Sequence, residues 1–281
     1  MTLTFETLEK LENFFRVRQW LHVLGLVFLG HLYCGPAFFN LKALCFSIVI
    51  GFFYLAHGYT LNDIFDNQIK ISIPKRGAFA LSLCALILSL AGSAVLSRTA
   101  LQCVILGHLA GMFYSAPPFR FKNRLFLDLI FNSLSFVPLF LIGYAGGKMI
   151  DPNALIFSFI IFLYFLPVQL MHEMQDFQID RAFKQKNTFQ TLESPQTPIL
   201  LFFLLFIFIL SSHLFWLEGF ISIGAFSTNA LFAIALCIYI SVSKIFTKKI
   251  DETFKGNYKI ITRYISLGYG ILLSTVFYFG I

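Results

Sequence analysis

Leu61-Asn62-Asp63-Ile64-Phe65-Asp66 closes a long apolar run, so two carboxylates stand at the mouth of a membrane-length segment. A second pair, Asp176 and Asp180, closes another apolar run much further along the chain. A charged side chain held in hydrocarbon costs at least about 2.5–3.5 kcal/mol. Four acids at the ends of apolar helices therefore demand a compensating cation or a chemical task.

Composition puts these acids in a bilayer. Of 281 residues, 58% are hydrophobic and 12% charged, with 37 Phe and a mean hydropathy of +0.78. A soluble domain carries about a quarter charged residues, so the chain reads as an all-α integral membrane protein with one domain over residues 1–281. Residues 1–16 carry Glu6, Glu9, Lys10 and Glu12 at amphipathic spacing and no small-residue cleavage site. That pattern describes an amphipathic N-terminal segment, not a cleaved signal peptide. The five cysteines fall within apolar runs at no metal-ligand spacing and read as small core residues.

Spans of about twenty apolar residues cross a roughly 30 Å hydrocarbon core at 1.5 Å per residue. They fall near 18–38, 41–61, 77–97, 99–115, 125–147, 154–175, 196–216, 221–243 and 260–280, which predicts nine transmembrane helices. The fourth is the shortest, diluted by Gly107, His108 and Gly111 before Pro117-Pro118 stops it. With that topology, 18 of the 21 Lys and Arg fall on the N-terminal side and only Lys42, Arg98 and Lys148 on the other. The imbalance puts the N-terminus in the cytoplasm and accounts for the net charge of +7 without a nucleic-acid partner. The polar stretches 62–76, 114–124 and 172–188 then all emerge on the cytoplasmic side and can converge.

Asp63 and Asp66 are spaced i, i+3, and Asp176 and Asp180 i, i+4, so each pair faces one way if its helix runs through it. Both pairs sit at helix C-termini, where the macrodipole is already negative, so positive charge is needed there. Magnesium suits such a place, because it takes few protein carboxylates and completes its octahedron with water and phosphate oxygens. Cations are nearby: Pro117-Pro118 predicts an extended chain in which Arg120, Lys122 and Arg124, at every second position, point the same way. Lys75, Arg76, Lys184 and Lys186 add to the same field. Two acidic pairs and a basic loop describe a diphosphate clamp, and a diphosphate so held is a good leaving group.

Plainer readings compete for each part. Asp63 and Asp66 taken alone fit a solvated loop equally well, but a second pair on the same side lowers that reading sharply. Arg120, Lys122 and Arg124 taken alone fit the positive-inside bias, as do Arg16 and Arg18, although either of those two could meet a carboxylate on an acceptor. His57 and His172 lie near the acids without a second histidine at ligand spacing, which reads as hydrogen-bonded structural histidine. Glu173 precedes Asp176 by three residues and could join its face. The Phe-rich runs read as lipid-facing or packed between helices.

Three segments together resemble the signatures of the UbiA superfamily of intramembrane prenyltransferases: Asn62-Asp63-x-x-Asp66, Tyr114-Ser115-x-Pro117-Pro118-x-Arg120-x-Lys122, and Asp176-x-x-x-Asp180 with Thr188 downstream. Their order and spacing agree over essentially the whole chain. The resemblance implies a nine-helix bundle around a central cavity open to the membrane, capped by polar cytoplasmic loops. It implies Mg2+ and an isoprenyl diphosphate held by Asn62, Asp63 and Asp66 from one side and by Asp176 and Asp180 from the other. Lys122 and Arg120 would contact the diphosphate, with Lys70 and Arg76 adding charge, and Tyr114 would lie close to the reacting end of the chain.

Two departures stand out. The superfamily's first motif usually continues to a third acid at the position of Lys70, which cannot ligate a metal while protonated. The second motif often has Gly and Lys before the Thr, where this chain reads Arg181-Ala182-Phe183-Lys184-Gln185-Lys186-Asn187-Thr188. The expected activity is transfer of a prenyl group from a polyprenyl diphosphate to a small aromatic acceptor, as in quinone or related lipid biosynthesis. Alternatives that keep the diphosphate chemistry are a terpene cyclase or a polyprenyl-phosphate phosphoribosyltransferase. A divalent-ion transporter fits less well, because transporters place such acids near the midplane on broken helices.

Overall fold

Backbone N–H and C=O groups find no water in hydrocarbon, so apolar runs of this length must bond internally as helices. A computed structural model of the chain describes residues 14–66, 74–182, 186–192, 196–242 and 268–279, the side chains of 175–182 and 241–242 excepted. Among the described residues there is no strand. The helices are α1 Gly25–Tyr33, α2 Leu41–Asp66, α3 Lys75–Leu96, α4 Arg98–Ser115, α5 Leu127–Gly147, α6 Pro152–Ala182, the single turn α7 Thr188–Thr191, α8 Gln196–Leu217, α9 Ile223–Val242 and α10 Gly268–Phe279.

Six helices are long and apolar enough to cross a membrane: α2, α3, α5, residues Pro152–Met174 of α6, α8, and residues Ile223–Ile240 of α9. These six match spans read from the sequence to within three residues at each end, except that α2 runs on past residue 61 to Asp66. The expected first span, 18–38, is not one helix. It runs as a helical turn Val17–Trp20, a 3-10 turn Leu21–Leu24, α1 and a further 3-10 turn Pro36–Phe38. Gly35, at φ 87°, and Pro36 end α1 early, because the left-handed residue reverses the chain and proline has no N–H to continue it.

The chain divides into two compact units, Met1–Phe121 with Ser135–Ile150, and Lys122–Leu134 with Asp151–Ile281, the boundary passing through α5. In the first unit, α2 packs against α1, α3 and α4. Lipid tails are as apolar as the side chains, so association here rests on close packing and hydrogen bonds. Close packing is visible at Gly143 of α5, where an added Cβ would lie 1.9 Å from the Val27 carbonyl oxygen of α1. Tyr54 Oη donates to the Ser135 carbonyl at 2.6 Å, and Ser89 Oγ lies 2.8 Å from His108 Nε2. His57 Nδ1 lies 3.0 Å from the Ser82 carbonyl, so this histidine links α2 to α3, as its plainer reading anticipates.

In the second unit, α8 packs against α6 and α9. Asn229 Nδ2 donates to Ser212 Oγ at 3.0 Å and its Oδ1 accepts from Tyr269 Oη at 2.7 Å, while Tyr164 stacks on the Tyr269 ring. Phenylalanines take both expected roles, Phe208 being fully buried while Phe203 and Phe206 stay more than half exposed. The cysteines correct their reading in part. Cys34 is buried, but Cys45 and Cys84 are exposed on membrane-spanning helices, where a small apolar side chain can face lipid at little cost.

Candidate active site

Helix α2 continues unbroken through the first acidic motif to Asp66, so Asp63 and Asp66 share a face as the i, i+3 spacing requires. Each polar residue of the motif is met from another element. Asn62 Oδ1 accepts from Ser115 Oγ, at the end of α4, at 3.1 Å. Asp63 Oδ1 accepts from Arg16 Nη1 at 2.6 Å, and Asp66 Oδ1 from Arg120 Nη2 at 3.1 Å. The carboxylate side chains are only 10% and 5% exposed. The charge demanded by two buried acids at a helix C-terminus is thus supplied by two guanidinium groups. The stretches after α2 and α4, expected to converge, do so through these bonds.

Arg16 reaches Asp63 because the N-terminal segment is anchored. Trp20 is fully buried, stacks on Tyr59 and donates its Nε1–H to the Phe15 carbonyl at 2.6 Å, while Phe14 packs with Ile64 and Ala78. Arg16 itself has a left-handed backbone, φ 53°, which turns the chain back toward the end of α2. The sequence reading assigned Arg16 to the positive-inside bias or to an acceptor; the carboxylate it meets is the protein's own. Ser115 as the partner of Asn62 was also unseen, since a serine between Tyr114 and a proline pair carries no signal of its own.

The extended run expected after Pro117-Pro118 is not formed. Arg120 is left-handed, φ 41°, and Phe121–Asn123 is a 3-10 turn, so the three cations do not alternate along a strand. A proline restricts the residue before it and leaves the residues after it free to turn. Arg120 pairs with Asp66, Lys122 is 3% exposed, and Arg124 and Arg76 are exposed, with Tyr114 half-buried. Lys70 and Lys184 lie outside the described residues, as do the side chains of Asp176 and Asp180. Their backbone lies within α6, which runs through both positions.

The second unit contains a buried polar knot that sequence reasoning missed. Asp128, in the first turn of α5, is fully buried. It accepts from the Thr188 hydroxyl, the Thr188 N–H and the Leu129 N–H at 2.8 Å. Thr188 Oγ1 in turn accepts from the Phe126 N–H at 2.7 Å. Glu173, also buried, accepts from the Phe189 N–H at 3.1 Å and from Gln169 Nε2 at 3.3 Å, and Gln169 accepts from Asn132. Glu173, read as a possible neighbour of Asp176, is engaged by the start of α7.

The donor set at the end of α2 fits magnesium: an amide oxygen and two carboxylates, all hard oxygen donors, too few to complete a coordination shell without water or phosphate. Among the described residues, no three His, Cys, Asp or Glu side chains cluster as a metal cage.

Comparison with known proteins places the chain in a family. Residues 23–261 match the model of the UbiA prenyltransferase family. A lycopene elongase/hydratase of Haloarcula japonica is 30% identical over 154 residues, covering 50% of this chain and 52% of the relative. The chain thus matches about half the length of that relative. Among solved structures, a UbiA homologue from Archaeoglobus fulgidus superposes with a TM-score of 0.75 at 20% identity, covering 95% of this chain and all of the other. The same homologue bound to GPP and Mg2+ gives 0.72 at the same identity and coverage. Six apolar helices and a family match over most of the chain make this an integral membrane, multi-pass protein, and it belongs to the UbiA prenyltransferase family.

Proposed function

We propose that this chain transfers an isoprenyl group from a polyprenyl diphosphate to a small aromatic acceptor at the cytoplasmic face of a membrane. The observation that carries the reading is the end of α2, where Asn62, Asp63 and Asp66 stand together with Arg16 and Arg120. Family membership supports it, as does the Archaeoglobus homologue bound to GPP and Mg2+.

In this reading Asn62, Asp63, Asp66, Asp176 and Asp180 hold Mg2+, while Lys122, Arg120, Lys70 and Arg76 contact the diphosphate. Bound magnesium would neutralise charge developing on the diphosphate oxygens. The allylic C–O bond breaks, its electron pair leaving with the diphosphate. The cationic side chains stabilise that leaving group in place, at sites fixed before the reaction begins. Tyr114 lies against the reacting end of the prenyl chain. The apolar helices exclude water from the allylic cation until an acceptor carbon attacks and loses its proton. A second reading keeps every step but the last: the similarity to a lycopene elongase/hydratase favours an apolar polyene as the acceptor.

Purified protein in nanodiscs, given labelled geranylgeranyl diphosphate, Mg2+ and membrane lipid extract, tests both. Diphosphate release that is lost on chelation and in Asp63→Ala is expected, and the product mass separates an aromatic from a polyene acceptor. No release with any acceptor, together with unchanged prenyl diphosphate binding in Asp63→Ala, overturns the proposal.

A further inference from the structure

Asp128 lies in the first turn of α5, away from any recognised motif, and its carboxyl group meets Thr188, the Leu129 N–H of its own helix start and the Glu173 side chain. Its carboxylate takes both the N–H and the hydroxyl of Thr188. The Glu173 carboxylate takes the next N–H, that of Phe189. Glu173 stands three residues before Asp176 in sequence and Thr188 eight residues after Asp180. The Glu173–Phe189 bond joins residues 16 apart in sequence, one on each side of both acids, and the Asp128–Thr188 bonds tie Thr188 to α5.

The cost of this arrangement argues for a purpose. Two carboxyl groups, 0% and 5% exposed, are held within helices by backbone N–H, hydroxyl and amide donors among the described residues. An apolar residue and a solvated loop would satisfy the same backbone more cheaply. Carboxylates that accept several fixed N–H and O–H donors hold those donors in one geometry, and groups that orient metal ligands from behind matter nearly as much as the ligands. Asn132 and Gln169 extend the knot by bracing Glu173, so the brace is locked from two helices.

We propose that Asp128, with Glu173 and Thr188, is a positioning residue for prenyl diphosphate binding: the three hold α6 at Glu173 against the start of α7 and so fix the α6 backbone that carries Asp176 and Asp180. The inference rests on the proposed reading of those two acids as diphosphate–magnesium ligands.

The test uses the full-length protein and geranylgeranyl diphosphate, binding being followed as a function of Mg2+ alongside kcat and KM. Asp128→Asn keeps the shape but turns one acceptor toward Thr188 into a donor. It should raise the Mg2+ needed for half-saturation, and KM, by about 10- to 100-fold. Thr188→Val should reproduce that change, and Thr188→Ser, which keeps the hydroxyl, should restore wild-type values. A purely structural role would lower yield and unfolding midpoint while leaving Mg2+ half-saturation and KM per folded molecule unchanged. That result in Asp128→Asn overturns the proposal; if Asp128→Asn does not fold, equal Mg2+ half-saturation in Thr188→Val and Thr188→Ser overturns it. Failure of the wild type to bind any prenyl diphosphate would instead strike the functional reading, which the Asp63→Ala control reports separately.

Discussion

Replacing Arg16 with Gln removes a charge at the end of α2, together with the Arg16 Nε–H bond to Gln19 Oε1 at 2.6 Å. Gln retains hydrogen-bonding capacity and most of the side-chain length, and the backbone strain of the left-handed residue is the same before and after. Arg16 Nη1 stands 2.6 Å from Asp63 Oδ1, with side-chain exposures of 30% and 10%. A hydrogen bond between charged groups contributes about 1.5–3 kcal/mol when sheltered, and an exposed ion pair about 0–1 kcal/mol. The low exposure of Asp63 puts this pair near the lower end of the sheltered range, about 2 kcal/mol. At about 2–4 °C per kcal/mol for a chain of this size, the midpoint should fall by roughly 4–8 °C. The same change leaves more uncompensated negative charge at Asp63, so millimolar Mg2+ should raise the variant's midpoint more than the wild type's. Thermal unfolding in detergent, with and without Mg2+, measures both effects. A double-mutant cycle with Asp63→Asn isolates the pair, with an expected coupling of about 2 kcal/mol. Coupling below about 0.5 kcal/mol, or identical stabilisation by Mg2+ in both proteins, would refute the reasoning.

Four further outcomes follow from packing and sequence. Gly143→Leu should cost about 3 kcal/mol or more and fail to yield monodisperse protein on size-exclusion chromatography, because the new Cβ meets the backbone of Val27 at 1.9 Å. Gly58→Ala, where an added Cβ meets nothing within 4 Å, should be neutral or raise stability to unfolding by up to about 1 kcal/mol, through helix propensity alone. Asn229→Leu removes the partner of Tyr269 and Ser212 and should cost about 1–2 kcal/mol in the same unfolding assay. Lys70→Asp supplies the third acid of the usual motif and should tighten Mg2+ dependence of prenyl diphosphate binding, whereas an unchanged titration and substrate preference would show that Lys70 has no such role.

What could be read from residues alone divides along physical lines. The membrane helices were legible because a run of apolar residues has one backbone solution in hydrocarbon, and the Asn62-Asp63-x-x-Asp66 motif because two charges at helical spacing have no cheap explanation there. The same logic failed on the loop after α4. A cis bond at Pro117-Pro118 and left-handed residues at Arg120 and Phe126 are local backbone choices that no side-chain pattern announces, and an alternation of cations is evidence of a strand only where the chain is extended. It failed differently at Asp128. A single acid at the edge of an apolar span is easily absorbed into the span, and its partner Thr188 lies 60 residues away. Its donors include the backbone N–H groups of Leu129 and Thr188, which every non-proline residue has and which leave no mark in composition. A buried carboxylate needs an account wherever it stands, Asp128 as much as Asp63, whether or not a second one stands three residues on. Asp63 finds its compensation in a guanidinium, so its charge can be exchanged for another cation. Asp128 finds its compensation in fixed backbone and hydroxyl donors that no ion would replace, and this difference separates a carboxylate that can take part in binding from one that holds the others in place.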